Sequence, residues 1–197
     1  MEKIWMPCIV REHNSGQVRY ALQDELFRNR EVECVGEITR DSAHALILQL
    51  RFLKQEDGEA PVTMYINSPG GDVYSGLALY DMMQALSCPV KTVCTGRADS
   101  MAALLLMGGE KGERLMLPHS RVLIHDPLIP GGIGGSALKV DMAARELMKT
   151  REMTATVIAE RTGHSLEEVY ERTAAETFFD ADEAVSWGIA DGIIREL

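Results

Sequence analysis

Ser100 stands between Asp99 and the apolar run "MAALLLMGG". A serine that follows a strand and opens a helix presents its hydroxyl, with the first backbone N–H groups of the helix, at the positive end of the helix dipole. This position suits a nucleophile whose attack creates negative charge. It is also the ordinary position of a serine that caps a helix, and capping is the more common role for this local pattern.

A nucleophilic serine needs a general base, and the sequence offers five histidines. His125 ends the apolar segment "RVLI" and precedes Asp126-Pro127, which stops the predicted strand. A histidine at a strand end, with its ring toward the surrounding loops, suits a general base, although a half-buried structural histidine is the alternative. Spacing does not identify the acid that would orient the ring, because there are 30 acidic residues.

The segment "SPGGD" supplies a third element of acyl-transfer chemistry. Gly70 and Gly71 can present backbone N–H groups to an oxyanion with no Cβ in the way, and the Met101 N–H, next to Ser100, can supply a second donor. The alternative is a simple tight turn. Together these residues suggest a serine hydrolase, although the same paired donors would also suit a fold that binds an acyl thioester.

The elements that must position these residues alternate between strand and helix. An N-terminal hairpin or loop is predicted around residues 14–16. Strands are predicted at "EVECVG", "PVTMYINS", "CPVKTVCTG", "RLMLP" and "RVLIHDP", and helices at 39–57, 73–86, from Ser100, and 137–163. Such alternation predicts an α/β domain with parallel strand pairs, whose loops gather at the strand ends.

Local patterns make sharper predictions for individual helices. In the helix at 39–57, Ala45, Leu48 and Phe52 recur at helical spacing, widened by Leu46 and Leu53, and predict the buried stripe. Two capping boxes are predicted to open helices, Ser165 with Glu168 and Asp180 with Glu183, and Gly163 and Gly188 suit helix C-termini.

Composition narrows the function classes. Apolar residues make up 46 % and charged residues 25 % of the chain, typical of a globular protein. A net charge of −10 argues against a nucleic-acid partner, and the uncharged run at Ser100 has half the length needed to span a bilayer. With no secretory leader pattern at the N-terminus, we expect a cytoplasmic protein. The four cysteines show no metal-binding spacing, so we expect them reduced and buried, with no metal or cofactor.

Three long stretches together resemble the proteolytic subunits of the Clp protease (ClpP). They are "YINSPGGDVYSGLALYDMMQ", "GRADSMAALLLMGGEKGERLMLPHSRVLIHDPL" and "RTGHSLEEVYERTAAETFFDADEAVSWGIAD". The likeness runs from about residue 5 to 195. It implies one domain over residues 1–197 with a crotonase-like α/β fold of repeated ββα units. It also implies an axial N-terminal segment at about 1–20 and a protruding handle of loop and helix at about 128–160.

The resemblance also implies a function, an assembly and a set of site residues. The function would be that of an ATP-dependent serine endopeptidase for unfolded polypeptides, working with an AAA+ unfoldase. Its chamber would be formed by two stacked heptameric rings, a tetradecamer. Ser100 would be the nucleophile, His125 the general base, and Gly71 and Met101 the oxyanion-hole donors. The third member of the triad falls on Glu176, where the family has aspartate, and Asp180 is the second candidate.

Three alternatives stay open, and the first of them rests on departures from the family pattern. Asp99 replaces a small residue beside the nucleophile, and its carboxylate could pair with Arg97 or with an arginine of a neighbouring subunit. Asp99 and Glu176 leave room for a weakly active subunit that depends on a paralogue in a mixed ring. A crotonase-type acyl-CoA enzyme and a membrane-linked peptidase of the same superfamily are the other two alternatives.

Overall fold

The computed structural model describes residues 6–13 and 16–196. Nine strands are present in this part of the chain: β1 (Cys8–His13), β2 (Gly16–Ala21), β3 (Glu31–Val35), β4 (Val62–Ser68), β5 (Val90–Asp99), β6 (Arg114–Met116), β7 (Arg121–Ile124), β8 (Thr177–Phe179) and β9 (Gly192–Ile193). The seven helices are α1 (Leu22–Arg28), α2 (Arg40–Glu56), α3 (Val73–Ala85), α4 (Met101–Met107), α5 (Ala137–Thr162), α6 (Leu166–Thr173) and α7 (Ala181–Ser186).

Strand β5 is the centre of the main sheet. The sheet runs in the order β3-β4-β5-β6-β9 with parallel neighbours, and β7 joins it beside β5. The first part of β5, at Thr92–Cys94, pairs with β6, whereas its last residues, Arg97–Asp99, pair with β7. Antiparallel β8 then pairs with β7. The α/β architecture with parallel strand pairs is therefore confirmed.

The N-terminal hairpin is also confirmed as secondary structure. Strands β1 and β2 pair antiparallel from Cys8 opposite Ala21 to His13 opposite Gly16. The predicted turn residues Asn14 and Ser15 lie outside the described residues. The axial role of this segment stays a prediction.

The predicted buried stripe of α2 is wrong in part. Leu48 and Phe52 are about half exposed and Ala45 is exposed, whereas the buried face carries Ala43, Leu46, Leu50 and Leu53. The helix has apolar residues at helical spacing on two sides. Periodicity finds both stripes, and only packing against the sheet selects the buried one.

The predicted helix ends are confirmed. Ser165 with Glu168 and Asp180 with Glu183 form the two capping boxes that open α6 and α7. Gly163 ends α5 in the left-handed conformation with φ 84°, and Gly188 follows α7 with φ 79°. Among the described residues no helix is both long and apolar enough to cross a membrane.

The partly buried ion pair of Arg114 and Asp191 fastens the C-terminal segment to β6. The Arg114 guanidinium donates to both carboxylate oxygens of Asp191, at 2.5 and 2.8 Å, and the Gly112 N–H adds a bond of 2.8 Å. Burial by itself would raise the pKa of Asp191, but these hydrogen bonds and the Arg114 charge outweigh it and hold the pKa below its ordinary value. Such a carboxyl stabilises the fold above its unfolded-state pKa, and this stability is lost as pH falls through the folded-state pKa.

We therefore expect Asp191→Asn to lower the free energy of unfolding at neutral pH by about 2 kcal/mol or more, because Arg114 loses its anionic partner. Thermal unfolding followed between about pH 7 and pH 3 should show a steeper acid loss in the wild type than in the variant. Asp141→Asn, which removes an exposed ion pair with Arg145, is the control and should change little. Equal acid sensitivity of wild type and Asp191→Asn would contradict this account.

Candidate active site

Ser100 lies at a strained junction between β5 and α4. Its backbone has φ 55° and ψ −121°, and only Arg30 shares a positive φ among the described non-glycine residues. Such a conformation costs about 1–3 kcal/mol and persists only where the surroundings impose it. Ser100 occupies the N-cap position of α4, but its hydroxyl makes no cap hydrogen bond. The hydroxyl is therefore not used to stabilise the helix.

The loop after β4 lies directly against this junction. A Cβ added to Gly70, which has φ 85°, would lie 2.5 Å from the Asp99 carbonyl oxygen and 2.9 Å from the Ser100 Cβ. The Gly70 N–H is anchored by the buried Ser68 hydroxyl at 3.1 Å. Only a residue without a side chain fits here.

Gly71 is held from the other side by the segment before α2. The Ile38 N–H donates to the Gly70 carbonyl and the Asp72 N–H donates to the Ile38 carbonyl, both at 2.8 Å. These bonds flank Gly71 and leave its own N–H without a partner in the described chain. The Met101 N–H, at the first position of α4, is likewise unpaired there. Two free donors therefore lie in the two segments that meet at this junction, one in the loop after β4 and one at the start of α4, next to Ser100.

His125 comes to this junction through the register of β7 on β5. Asp99 pairs with Leu123, and the Ser100 N–H donates to the Leu123 carbonyl at 2.8 Å. His125 follows two residues later. Ser100 and His125 line one small pocket of about 20 Å³, whose other walls are Val73, Met101, Leu104, Ile124, Pro127, Thr154 and Ile158. No hydrogen bond joins the Ser100 hydroxyl to the imidazole in the described structure.

Glu176 is placed opposite His125 by the next strand pair. In the antiparallel register of β7 and β8, Ile124 pairs with Thr177. One step beyond this pair, His125 on one side faces Glu176 on the other. Glu176 is exposed, and none of the hydrogen bonds of the described residues involves its carboxylate. Asp180, the second candidate, accepts the Glu183 N–H at 2.9 Å as the cap of α7. The register therefore favours Glu176.

The carboxylate of Asp99 is buried, with only 1 % of the residue exposed. It pairs with the Arg97 guanidinium, whose Nε donates to Oδ2 at 2.5 Å. Pairing with Arg97, one of the two possibilities raised by the sequence, is confirmed. Its other oxygen, Oδ1, is buried without a hydrogen-bond partner in the part of the chain that is described.

The cysteines offer no competing nucleophile beside Ser100. Cys34, Cys88 and Cys94 are buried as predicted, but Cys8 is exposed in β1, so the prediction of burial is wrong for Cys8. Burial raises the pKa of Cys34 to about 11 and also raises that of Cys94. A protonated thiol is a poor nucleophile. The described residues also contain no cluster of His, Cys, Asp and Glu side chains able to hold a metal ion.

The family model for Clp protease matches residues 14–197 of the chain. The chain belongs to the Clp protease family. Its α/β architecture agrees with the fold of that family, and membership implies a peptidase hydrolase that acts on protein substrates and self-assembles.

Some residues of the site were missed by sequence reasoning. Ile38, 32 residues before Gly70, holds the Gly70–Gly71 loop, and Thr154 and Ile158 of α5 form one wall of the pocket. Periodicity within a segment carries no information about such contacts. A clue for α5 was available only in the resemblance, which assigns that helix to the handle.

The contact at Gly70 gives a stability test. We expect Gly70→Ala to destabilise the protein more than Gly36→Ala, by about 2 kcal/mol in urea unfolding, because only the Cβ at Gly70 collides with the Asp99–Ser100 backbone. Gly36 is a matched control, since it has φ 80° and no atom within 4 Å of the added Cβ. Both variants carry the same left-handed strain of about 1 kcal/mol. Equal losses would mean that the loop does not rest on Ser100.

Proposed function

We propose that this member of the Clp protease family is a serine endopeptidase with Ser100 as its nucleophile. The observation that carries the proposal is the strained, uncapped Ser100, with one unpaired backbone N–H at Met101 and another at Gly71, in the loop that packs against it. A helix-capping serine would have neither the strain nor a free hydroxyl. His125 lines the same pocket as Ser100 and can serve as its general base.

In the proposed reaction, His125 takes the Ser100 proton as the hydroxyl oxygen attacks a peptide carbonyl. The carbonyl oxygen becomes an oxyanion held by the N–H groups of Gly71 and Met101. His125 then gives the proton to the leaving amine, and an acyl-enzyme forms. Water, deprotonated by His125, attacks the ester and releases the carboxylic acid while Ser100 regains its proton. The Glu176 carboxylate orients the imidazole and stabilises its cationic form.

The proposed substrates are unfolded polypeptides, delivered by an AAA+ unfoldase into a chamber of two stacked heptameric rings. The proposed association of rings is supported by the surface of α5. Its exposed apolar side chains Leu138, Met142 and Met148 are each about 60–70 % exposed. Apolar surface of this kind on a long helix favours burial against another subunit.

A partner-dependent peptidase is the second candidate. The observation that favours it is that no hydrogen bond connects Ser100, His125 and Glu176 in the described subunit, while the Glu176 carboxylate is exposed. Contacts in a ring with a paralogue would then complete the triad. Peptide hydrolysis by the purified chain, with and without such a ring, separates the two candidates. An acyl-CoA enzyme would instead keep its activity in Ser100→Ala.

We expect Ser100→Ala to abolish labelling of the protein by a serine-reactive fluorophosphonate, because no other activated hydroxyl lies at the two free donors. Ser165→Ala is the matched control. Ser165 also opens a helix, but its hydroxyl accepts the Glu168 N–H as a cap, so this variant should be labelled like the wild type. The modified residue is located by peptide mass spectrometry. Equal labelling of Ser100→Ala and wild type would contradict the proposal.

The acid of the triad has a test of its own. Glu176→Gln should lower kcat for peptide hydrolysis by about two to four orders of magnitude, because the imidazole loses its orienting carboxylate. Asp180→Asn should leave kcat nearly unchanged, and asparagine still caps α7. The opposite result, a large loss in Asp180→Asn alone, would make Asp180 the acid.

A further inference from the structure

We propose that Arg151 is a positioning residue that holds the His125 segment through Asp126. The inference rests on the proposed peptidase function and adds two residues to it. Asp126 directly follows His125, and its carboxylate Oδ2 accepts a hydrogen bond from Arg151 Nε at 2.6 Å. The side chain of Arg151 is 23 % exposed and that of Asp126 is 33 % exposed, so water screens this ion pair less than an ordinary surface pair.

Asp126 is bound a second time, to the end of α6. Its Oδ1 accepts the Thr173 hydroxyl at 2.7 Å, and its N–H donates to the Thr173 carbonyl at 2.8 Å. Thr173 is almost fully buried and stands three residues before Glu176. One carboxylate therefore joins the segment that carries the proposed base to the segment that carries the proposed acid.

Arg151 brings α5 into the same cluster. Its guanidinium lies 4.0 Å from the centroid of the Tyr170 ring, which fixes the side chain between α5 and α6. Thr154 and Ile158 follow Arg151 by three and seven residues and so share its helix face. These two residues form the wall of the pocket that contains Ser100 and His125. The face of α5 that shapes the pocket is the face that holds Asp126.

The chemical consequence concerns alignment rather than binding. The imidazole must reach both the Ser100 hydroxyl and the leaving amine, and a shift of about 1 Å costs up to about two orders of magnitude in rate. Without Arg151, the carboxylate of Asp126 loses its cation and the turn after β7 loses its link to α5. The proton-transfer step should then slow while substrate binding is retained.

The test compares Arg151→Met, which keeps an apolar stem of similar length, with Lys149→Met. Lys149 belongs to the same helix and forms an exposed ion pair with Glu146, so its loss controls for charge and helix propensity. We expect kcat for a fluorogenic peptide to fall about tenfold in Arg151→Met with KM within about twofold of the wild type, and no change in Lys149→Met. Arg151→Lys should retain most of kcat, because lysine again places a positive charge beside the Asp126 carboxylate. A loss confined to KM, or equal kcat in Arg151→Met and wild type, would overturn the inference.

Two further measurements separate positioning from general damage. Adding Asp126→Asn to Arg151→Met should cost less than about twofold more in kcat, since asparagine keeps Oδ1 to accept the Thr173 hydroxyl and loses only the charge that paired with Arg151. If the kcat losses of the two substitutions multiply in the double variant, Arg151 and Asp126 do not act together. Hydrogen–deuterium exchange of peptides covering residues 124–127 should be about tenfold faster in Arg151→Met than in Lys149→Met, in particles of the same size.

The exchange measurement does not depend on catalysis. A wild-type protein that hydrolyses no peptide and is not labelled at Ser100 would contradict the proposed function. Equal exchange in Arg151→Met and Lys149→Met would instead contradict the role of Arg151, whatever the activity of the wild type. The two failures are therefore distinguishable.

Discussion

The close approach of Gly70 to the backbone of Asp99 and Ser100 is the contact on which the rest of the site depends. It places the β4 loop against the start of α4, with an added Cβ at Gly70 only 2.5 Å from the Asp99 carbonyl oxygen. Ile38 holds this loop from one side, and the bond from the Ser100 N–H to Leu123 holds the junction from the other. With both sides fixed, Ser100 keeps a backbone conformation that an isolated chain would leave.

Local sequence patterns predicted the elements well where the physics is local. The capping boxes at Ser165 and Asp180 were predictable because the residues that satisfy each helix end lie within four positions of it. The buried stripe of α2 was predicted correctly at Leu46 and Leu53 and wrongly at Leu48 and Phe52. Choosing between two apolar faces requires knowing where the sheet lies, and this is a tertiary property.

The same difference between local and tertiary information applies to the residues of the candidate site. Ser100, His125 and the glycine loop were identifiable because parallel strands bring their ends to one edge of a sheet. Glu176 came from a family resemblance, and strand register independently places it opposite His125. The Arg151–Asp126–Thr173 cluster had no signal in the sequence. Its members come from two helices and the loop after β7, and each is an ordinary surface residue type.

Asp99 shows how the fold accommodates a residue that acyl-transfer chemistry would otherwise avoid. In general, two like charges about 6 Å apart repel each other by about 3 kcal/mol at an effective dielectric constant of about 20, which corresponds to about two orders of magnitude in rate. Arg97 lies two residues earlier on the same face of β5 and pairs with that carboxylate. Because opposite charges in contact largely cancel, the ion pair carries a dipole instead of a net negative charge. The acid next to Ser100, paired with Arg97, is therefore compatible with the oxyanion proposed at the Gly71 and Met101 N–H groups.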